Sequence, residues 1–161
     1  MSLPGYMTIV SSTQGEIEGE CTVEQHEKTT LIYSCSHSVQ LPTDKFGLSN
    51  GRRLHMPLTI VKEVDRCSPM LYQALSKGEI FDRITIQWFR IDSTGLEELY
   101  FVQTLEDAQV ISVTFDANAF SGGGVSQSGH LETVSFVYKD ISWVHSLSGI
   151  EFNDTCSDDQ Q

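Results

Sequence analysis

The chain is poor in the features that mark membrane, nucleic-acid and redox proteins. Its apolar runs are only a few residues long, far short of the roughly 20 that cross a bilayer as a helix. The opening, Met1 to Val10, lacks the basic stretch, apolar core and cleavage site of an export signal. Only 10 basic residues stand against 22 acidic ones, which argues against nucleic-acid or anionic-membrane binding. Cys21, Cys35, Cys67 and Cys156 form no Cys-x-x-Cys pair or zinc knuckle and are too sparse for a disulfide framework. They are expected as reduced thiols.

Catalytic signatures are equally scarce. His26, His37, His55, His130 and His145 have no metal-binding spacing, and His37 and His145 read as partly buried strand residues. There is no Gly-x-Ser-x-Gly elbow. The run Gly122-Gly123-Gly124 has no following Gly-Lys-Ser/Thr and reads as loop. Acid pairs at Glu97-Glu98 and Glu106-Asp107 lie beside turns, where solvent is their natural partner. Cys67, at a helix start, is the only thiol whose pKa a helix dipole could lower, with inert packing the weightier reading. No catalytic, metal or cofactor residue is assigned, and no cofactor is expected.

What the sequence does contain is a pattern of strands around one helix. Ser68 can cap, Pro69 suits the first turn, Met70, Leu71, Ala74 and Leu75 share a face, and Gly78 supplies a left-handed exit, so 68–78 is expected as a helix. Ile84, Ile86 and Trp88 alternate with Thr85, Gln87 and Phe89 as a central strand. Tyr6 to Ser11 reads as a first strand, Ser12 to Gly15 as a turn, and Glu16 to Glu24 as a solvated edge.

The next run places Leu31, Tyr33, Cys35, Val39 and Leu41 on one side, with His37 in phase, and Thr30, Ser34, Ser36, Ser38 and Gln40 on the other. The first side is expected to face a core, the second water or a polar cavity. Residues 41–57 then form a long loop, either an interaction arm or a disordered excursion. Leu58, Ile60 and Lys62 resume as a strand. After the turn Asp92 to Gly95, strands are expected over Glu98 to Leu105 and Gln109 to Phe115, then a loop over Ala119 to Gly129. Two parities in Val134-Phe136-Tyr138 and Ile141-Trp143-His145 call for a bulge near Lys139-Asp140 or a strand buried on both faces.

These features describe one mainly β domain over 1–150, a barrel or sandwich with one flanking helix, and an acidic tail over 151–161. Charge is segregated: eight basic against four acidic residues lie between 45 and 90, and both flanks are strongly acidic. The fold could mix these into a solvated surface, or a basic patch could meet an acidic one on another copy.

In order and spacing, several blocks resemble the hemolysin-coregulated protein family, whose members form the inner tube of the bacterial type VI secretion system. They are Thr13-Gln14-Gly15, Leu41-Pro42-Thr43-Asp44, Gly51-Arg52-Arg53-Leu54-His55-Met56-Pro57, Pro69-Met70-Leu71-Tyr72, Ala74-Leu75, Gly78-Glu79, Trp88-Phe89-Arg90, Tyr138-Lys139 and Ile141 to His145.

The resemblance implies a β-barrel of two antiparallel sheets with one flanking helix and a long extended loop, assembled as hexameric rings that stack into a tube. Implied partners are further copies of the chain, a sheath, a spike and small effectors, with no nucleic acid and no membrane insertion. It assigns ring stacking to the 41–57 loop, with Pro42, Thr43, Asp44, Gly51, Arg52, Arg53, His55 and Pro57 as candidates. It makes Ser34, Ser36 and Ser38 candidate lumen or effector contacts. Members are cytoplasmic before assembly and secreted without a signal peptide, and no enzymatic activity is implied. Two other readings remain: a free ring that chaperones effectors, and a small β-barrel hydrolase using Cys67 or a histidine.

Overall fold

The computed structural model describes residues 3–49, 51–117 and 129–156. Eleven strands and one helix follow in the order β1 (Gly5–Ser11), β2 (Gly15–Ile17), β3 (Thr30–Ser36), β4 (Val39–Gln40), β5 (Leu54–His55), β6 (Leu58–Glu63), α1 (Ser68–Lys77), β7 (Ile80–Ile91), β8 (Glu97–Asp116), β9 (Leu131–Val137), β10 (Asp140–His145) and β11 (Ile150–Thr155). Strands β7, β1, β3, β6, β9 and β8 pair in that order, and β8 returns to β7, closing a six-stranded antiparallel barrel. The rest of the edge of β8 that pairs with β9 carries β10, and β10 carries β11, so a sheet continues outward from the barrel wall. The expected β-barrel with one flanking helix is the fold observed.

Strand β8 is one 20-residue element, where the sequence suggested two. Its core residues change parity between Leu105 and Ala108, and those of β7 change between Phe81 and Ile84, directly opposite. Asp107 there has φ of +48°. The ribbon bends at one place on both strands without breaking the ladder, so periodicity fails where pairing does not. The interruption expected near Lys139-Asp140 lies at Tyr138-Lys139, where β9 hands over to β10 along the same edge of β8.

In β3 the register shifts between Ile32 and Ser34, which corrects the expected faces. Thr30 and Ile32 point into the core, Tyr33 is about half exposed, and Cys35 turns inward beyond the bulge. Tyr33 instead donates its hydroxyl to Glu63 Oε1 at 2.6 Å.

The helix corrects a second expectation. Ser68 is inside α1 and Cys67 occupies the cap position without a side-chain cap. Asp65 Oδ1 accepts from the Cys67 N–H at 3.0 Å, while Ser68 Oγ donates to buried Glu132 Oε1 at 2.6 Å. The core has claimed the serine that could have capped. Gly78 ends the helix as expected, with φ of +65°. Leu71 and Ala74 are fully buried, and Met70 and Leu75 pack at the margin. Burial pushes the Cys67 thiol up to about 12, the opposite of nucleophile activation.

The acidic tail expected over 151–161 is strand as far as Thr155. It pairs residue by residue with β10, from His145↔Ile150 to Asp140↔Thr155. The triglycine loop reading falls outside the described residues, apart from Gly129.

Candidate functional site

The long loop is a projecting arm with a built tip and a built root. Near the root, Val39 pairs with His55 and Gln40 with Leu54, and the Met56 N–H donates to Ser38 O at 3.0 Å. Near the tip, Thr43 bridges to Ser49. Asp44 organises the turn: its Oδ1 accepts from the N–H groups of Phe46 and Leu48 at 2.9 and 3.0 Å. Gly47 and Gly51, with φ of +79° and +98°, adopt backbone conformations that L side chains rarely take. Pro42 and Pro57 flank the arm. Disorder across the whole segment is therefore not what these hydrogen bonds describe.

The arm carries an apolar surface that its charge pattern concealed. Leu41, Phe46, Leu48, Leu54 and Met56 are exposed, Phe46 to 76%. The arm thus presents apolar side chains to solvent of a kind that monomeric surfaces rarely group together.

Arg53, expected to reach a neighbouring surface, is held by its own chain. Its Nε and a terminal nitrogen donate to Asp154 at 2.6 and 2.5 Å, and the latter also reaches the Thr155 carbonyl oxygen at 3.1 Å. This two-pronged geometry fits guanidinium to carboxylate. Asp154 sits on β11, so the strand that the sequence read as tail is what fastens the arm. Arg52 is exposed beside it.

His55 extends the fastening inward. Its Nε2 lies 2.8 Å from Asp154 Oδ2 and its Nδ1 2.8 Å from the Tyr138 hydroxyl, which in turn lies 2.7 Å from His37 Nε2. Arg53, with His55 helping, holds the Asp154 carboxyl below the ordinary carboxylate range. Burial, and then the nearby His55, lowers His37. Burial, then Cys156 and Asp154, raises the Tyr138 phenol. A hydroxyl, imidazole and carboxylate in sequence can activate a nucleophile, but here Tyr138 is buried and its phenol is made a weaker acid by its surroundings. Among the described residues no group of three or more His, Cys, Asp or Glu is arranged to hold a metal ion.

Ser34 and Ser36 are exposed neighbours on one face of β3, and Ser38 lies beyond its end. Ser34 borders an open groove of about 750 Å³ with Tyr33, Trp88, Arg90 and Tyr100. Ser38 borders a second, of about 430 Å³, with Trp88, Phe101, Gln103 and Trp143. Trp88 Nε1 donates to Gln103 Oε1 at 2.9 Å. Ser34 and Ser38 thus border different grooves, which share Cys35 and Trp88.

Sequence reading missed Tyr138, Asp154 and His37 as arm anchors. Each is about 80 or more positions from its partner on the arm or, for His37, from Tyr138, and no local spacing can report such a meeting. The only signal was Tyr138 lying in a block used for the family resemblance.

A closed antiparallel barrel with one helix on its wall and an anchored arm defines a class of small, mainly β protein. The family described as "Type VI secretion system effector, Hcp" matches residues 6–145, and the chain belongs to that family. It is 34% identical over 164 residues to the "Major exported protein" of Pseudomonas aeruginosa strain PAO1, covering 96% of this chain and 95% of the relative. Among solved structures, the secreted protein Hcp3 from Pseudomonas aeruginosa is 32% identical with a TM-score of 0.78, covering 94% of this chain and 97% of that one. A double mutant of the Hcp1 protein from E. coli EAEC 042 is 28% identical with a TM-score of 0.85, covering 96% and 99%.

Proposed function

We propose that this chain is a non-enzymatic, ring-forming subunit of a type VI secretion tube. Six copies close into a ring, rings stack through the 41–57 arm, and the stacked tube is exported with the machine that drives it. The observation that carries this reading is the arm, rigid at its root and tip, with Leu41, Phe46, Leu48, Leu54 and Met56 left in water. Burial of such a surface against a neighbouring ring supplies an association energy that the monomer leaves unused. Ile150 and Phe152 on β11, also exposed, support a lateral contact that closes by rotation.

Pro42, Thr43, Asp44, Gly51 and Pro57 set the shape of the arm in this reading, and Arg53 and His55 set its angle. Arg52 adds an exposed basic side chain to the surface of the arm. Export follows by analogy with the Pseudomonas relative named for it. Sheath, spike and small effectors are the partners. Ser34, Ser36 and Ser38 line the lumen, where the two grooves could seat a small effector.

Negative-stain imaging of purified protein tests the reading. Rings and short tubes are expected, and Phe46→Ser with Leu48→Ser should leave rings while removing tubes. Wild-type particles without ring symmetry, at concentrations where related rings form, would overturn it.

A further inference from the structure

We propose that the hydrogen-bonded chain His37, Tyr138, His55 and Asp154 at the root of the arm is a proton-sensitive latch, holding the arm against β11 at neutral pH and releasing it in acid. The four residues come from four places: the link between β3 and β4, the break between β9 and β10, β5, and β11. The inference rests on the protomer alone and stands whether or not rings stack.

Donor bookkeeping makes the chain sensitive to protons. Asp154 is an acceptor, so His55 Nε2 must donate to it. When His55 is neutral, its Nδ1 accepts from the Tyr138 O–H, and the phenol oxygen accepts from His37 Nε2–H. When His55 is charged, both its nitrogens donate, and the phenol proton turns to His37 Nε2, which must then be neutral. One hydroxyl proton therefore serves two imidazoles, and one positive ring is accommodated. With both rings charged, the phenol oxygen receives two N–H groups and its own proton loses its acceptor within the chain. Tyr138 is buried, and a buried donor without a partner is costly.

The surrounding charges do not relieve this. Arg53 adds a cation on the arm side. Asp154 is the carboxylate in contact with the chain and already serves Arg53 and His55. Cys156 lies on the β11 side, Asp140 is engaged by the Thr155 hydroxyl at 2.6 Å, Cys35 borders the groove beside His37, and the Trp143 ring stacked near His37 is uncharged.

Both titrations act in one direction. His37 is lowered by burial and then by His55, so its contribution is complete above the ordinary histidine value of about 6.5 and is lost as pH falls through its lowered value. Asp154 is lowered chiefly by Arg53, so its contribution is complete above the ordinary carboxylate range and disappears as pH falls further. Acid weakens the latch twice.

Amide hydrogen exchange of the full chain, corrected for the intrinsic effect of pH, tests this at about pH 7.5 and about pH 5. The amides of Val39, Gln40, Leu54 and Met56 should lose protection in acid. Amides of β1 and β7 should keep theirs. Tyr138→Phe should give a weakly protected arm at both pH values. His37→Gln, which cannot titrate but can hydrogen-bond, should move the loss to lower pH and serves if Tyr138→Phe does not fold. Equal arm protection at both pH values in the wild type, a parallel loss in β1 and β7, or an unmoved step in His37→Gln would each overturn the latch.

Discussion

Lys62 and Glu132 face each other across the β6 and β9 ladder, both removed from water, with the lysine ammonium on Glu132 Oε1. Ser68 donates to the same oxygen, and Asp65 Oδ1 lies 3.1 Å from the ammonium. The second oxygen, Oε2, has no hydrogen-bond partner among the described residues. This cluster joins the barrel wall to the start of α1, which explains why a lysine could occupy a core position in a strand that otherwise buries Leu58 and Ile60.

Lys62→Met should therefore destabilise by about 3–5 kcal/mol, because it strands a buried carboxylate. Lys62→Met combined with Glu132→Leu should recover most of that loss, since both desolvated charges go together. Urea unfolding of the two variants measures the difference. A single variant as stable as the wild type would mean the pair contributes nothing to holding helix on barrel.

Leu71→Ala should cost about 2–5 kcal/mol, being a fully buried side chain replaced by a cavity. Leu75→Ala should cost less, because Leu75 lies at the edge of the core. A reversed order in denaturant melts would place the helix on the barrel by its other face.

Gly19→Ala should also destabilise, by about 1–3 kcal/mol. A Cβ there would lie 2.4 Å from the Thr29 carbonyl oxygen, and the Gly19 N–H is itself bonded to the Lys28 carbonyl at 2.8 Å. Backbone must move, unlike at Gly15, where a Cβ meets nothing within 4 Å. Thermal melts that leave Gly19→Ala unchanged would show that this hairpin loop yields freely.

The helix and the part of β7 from Ile84 were legible because their periodicity there is local and uninterrupted: Leu71 with Ala74, then Ile84 with Ile86. Legibility failed where two strands share a distortion. The bulge in β3 exchanged the faces of Leu31, Tyr33 and Thr30, Ile32, and the bend at Asp107 made β8 look like two strands. It failed again at β11, whose polar residues reveal no alternating core because its role is to pair with β10 and offer Asp154. The arm was legible as a long loop with special turn residues. Its anchorage was not, because Arg53 and Asp154 are joined only by the fold.

Arg53→Asp should free the arm by placing a carboxylate against Asp154, and Arg53→Asp with Asp154→Arg should fasten it again. Exchange of the Leu54 and Met56 amides reads both. Restoration in the double variant would establish the contact as internal to one protomer. If reversal of Arg53 alone leaves arm protection intact, the pair does not hold the root.

Arg52→Glu tests contact between copies. It should weaken ring stacking, and wild-type stacking should fall with added salt as screened charge pairs do. Sedimentation across a salt series measures it. Salt-independent stacking, unaltered by Arg52→Glu, would leave the arm's apolar residues as the whole of the contact.

Self-assembly is most directly tested by the mass of the purified protein in solution. Light scattering after size exclusion, at micromolar concentration and low salt, should give about six times the protomer mass of 18.0 kDa. A mass of one protomer at every concentration and salt would contradict the ring.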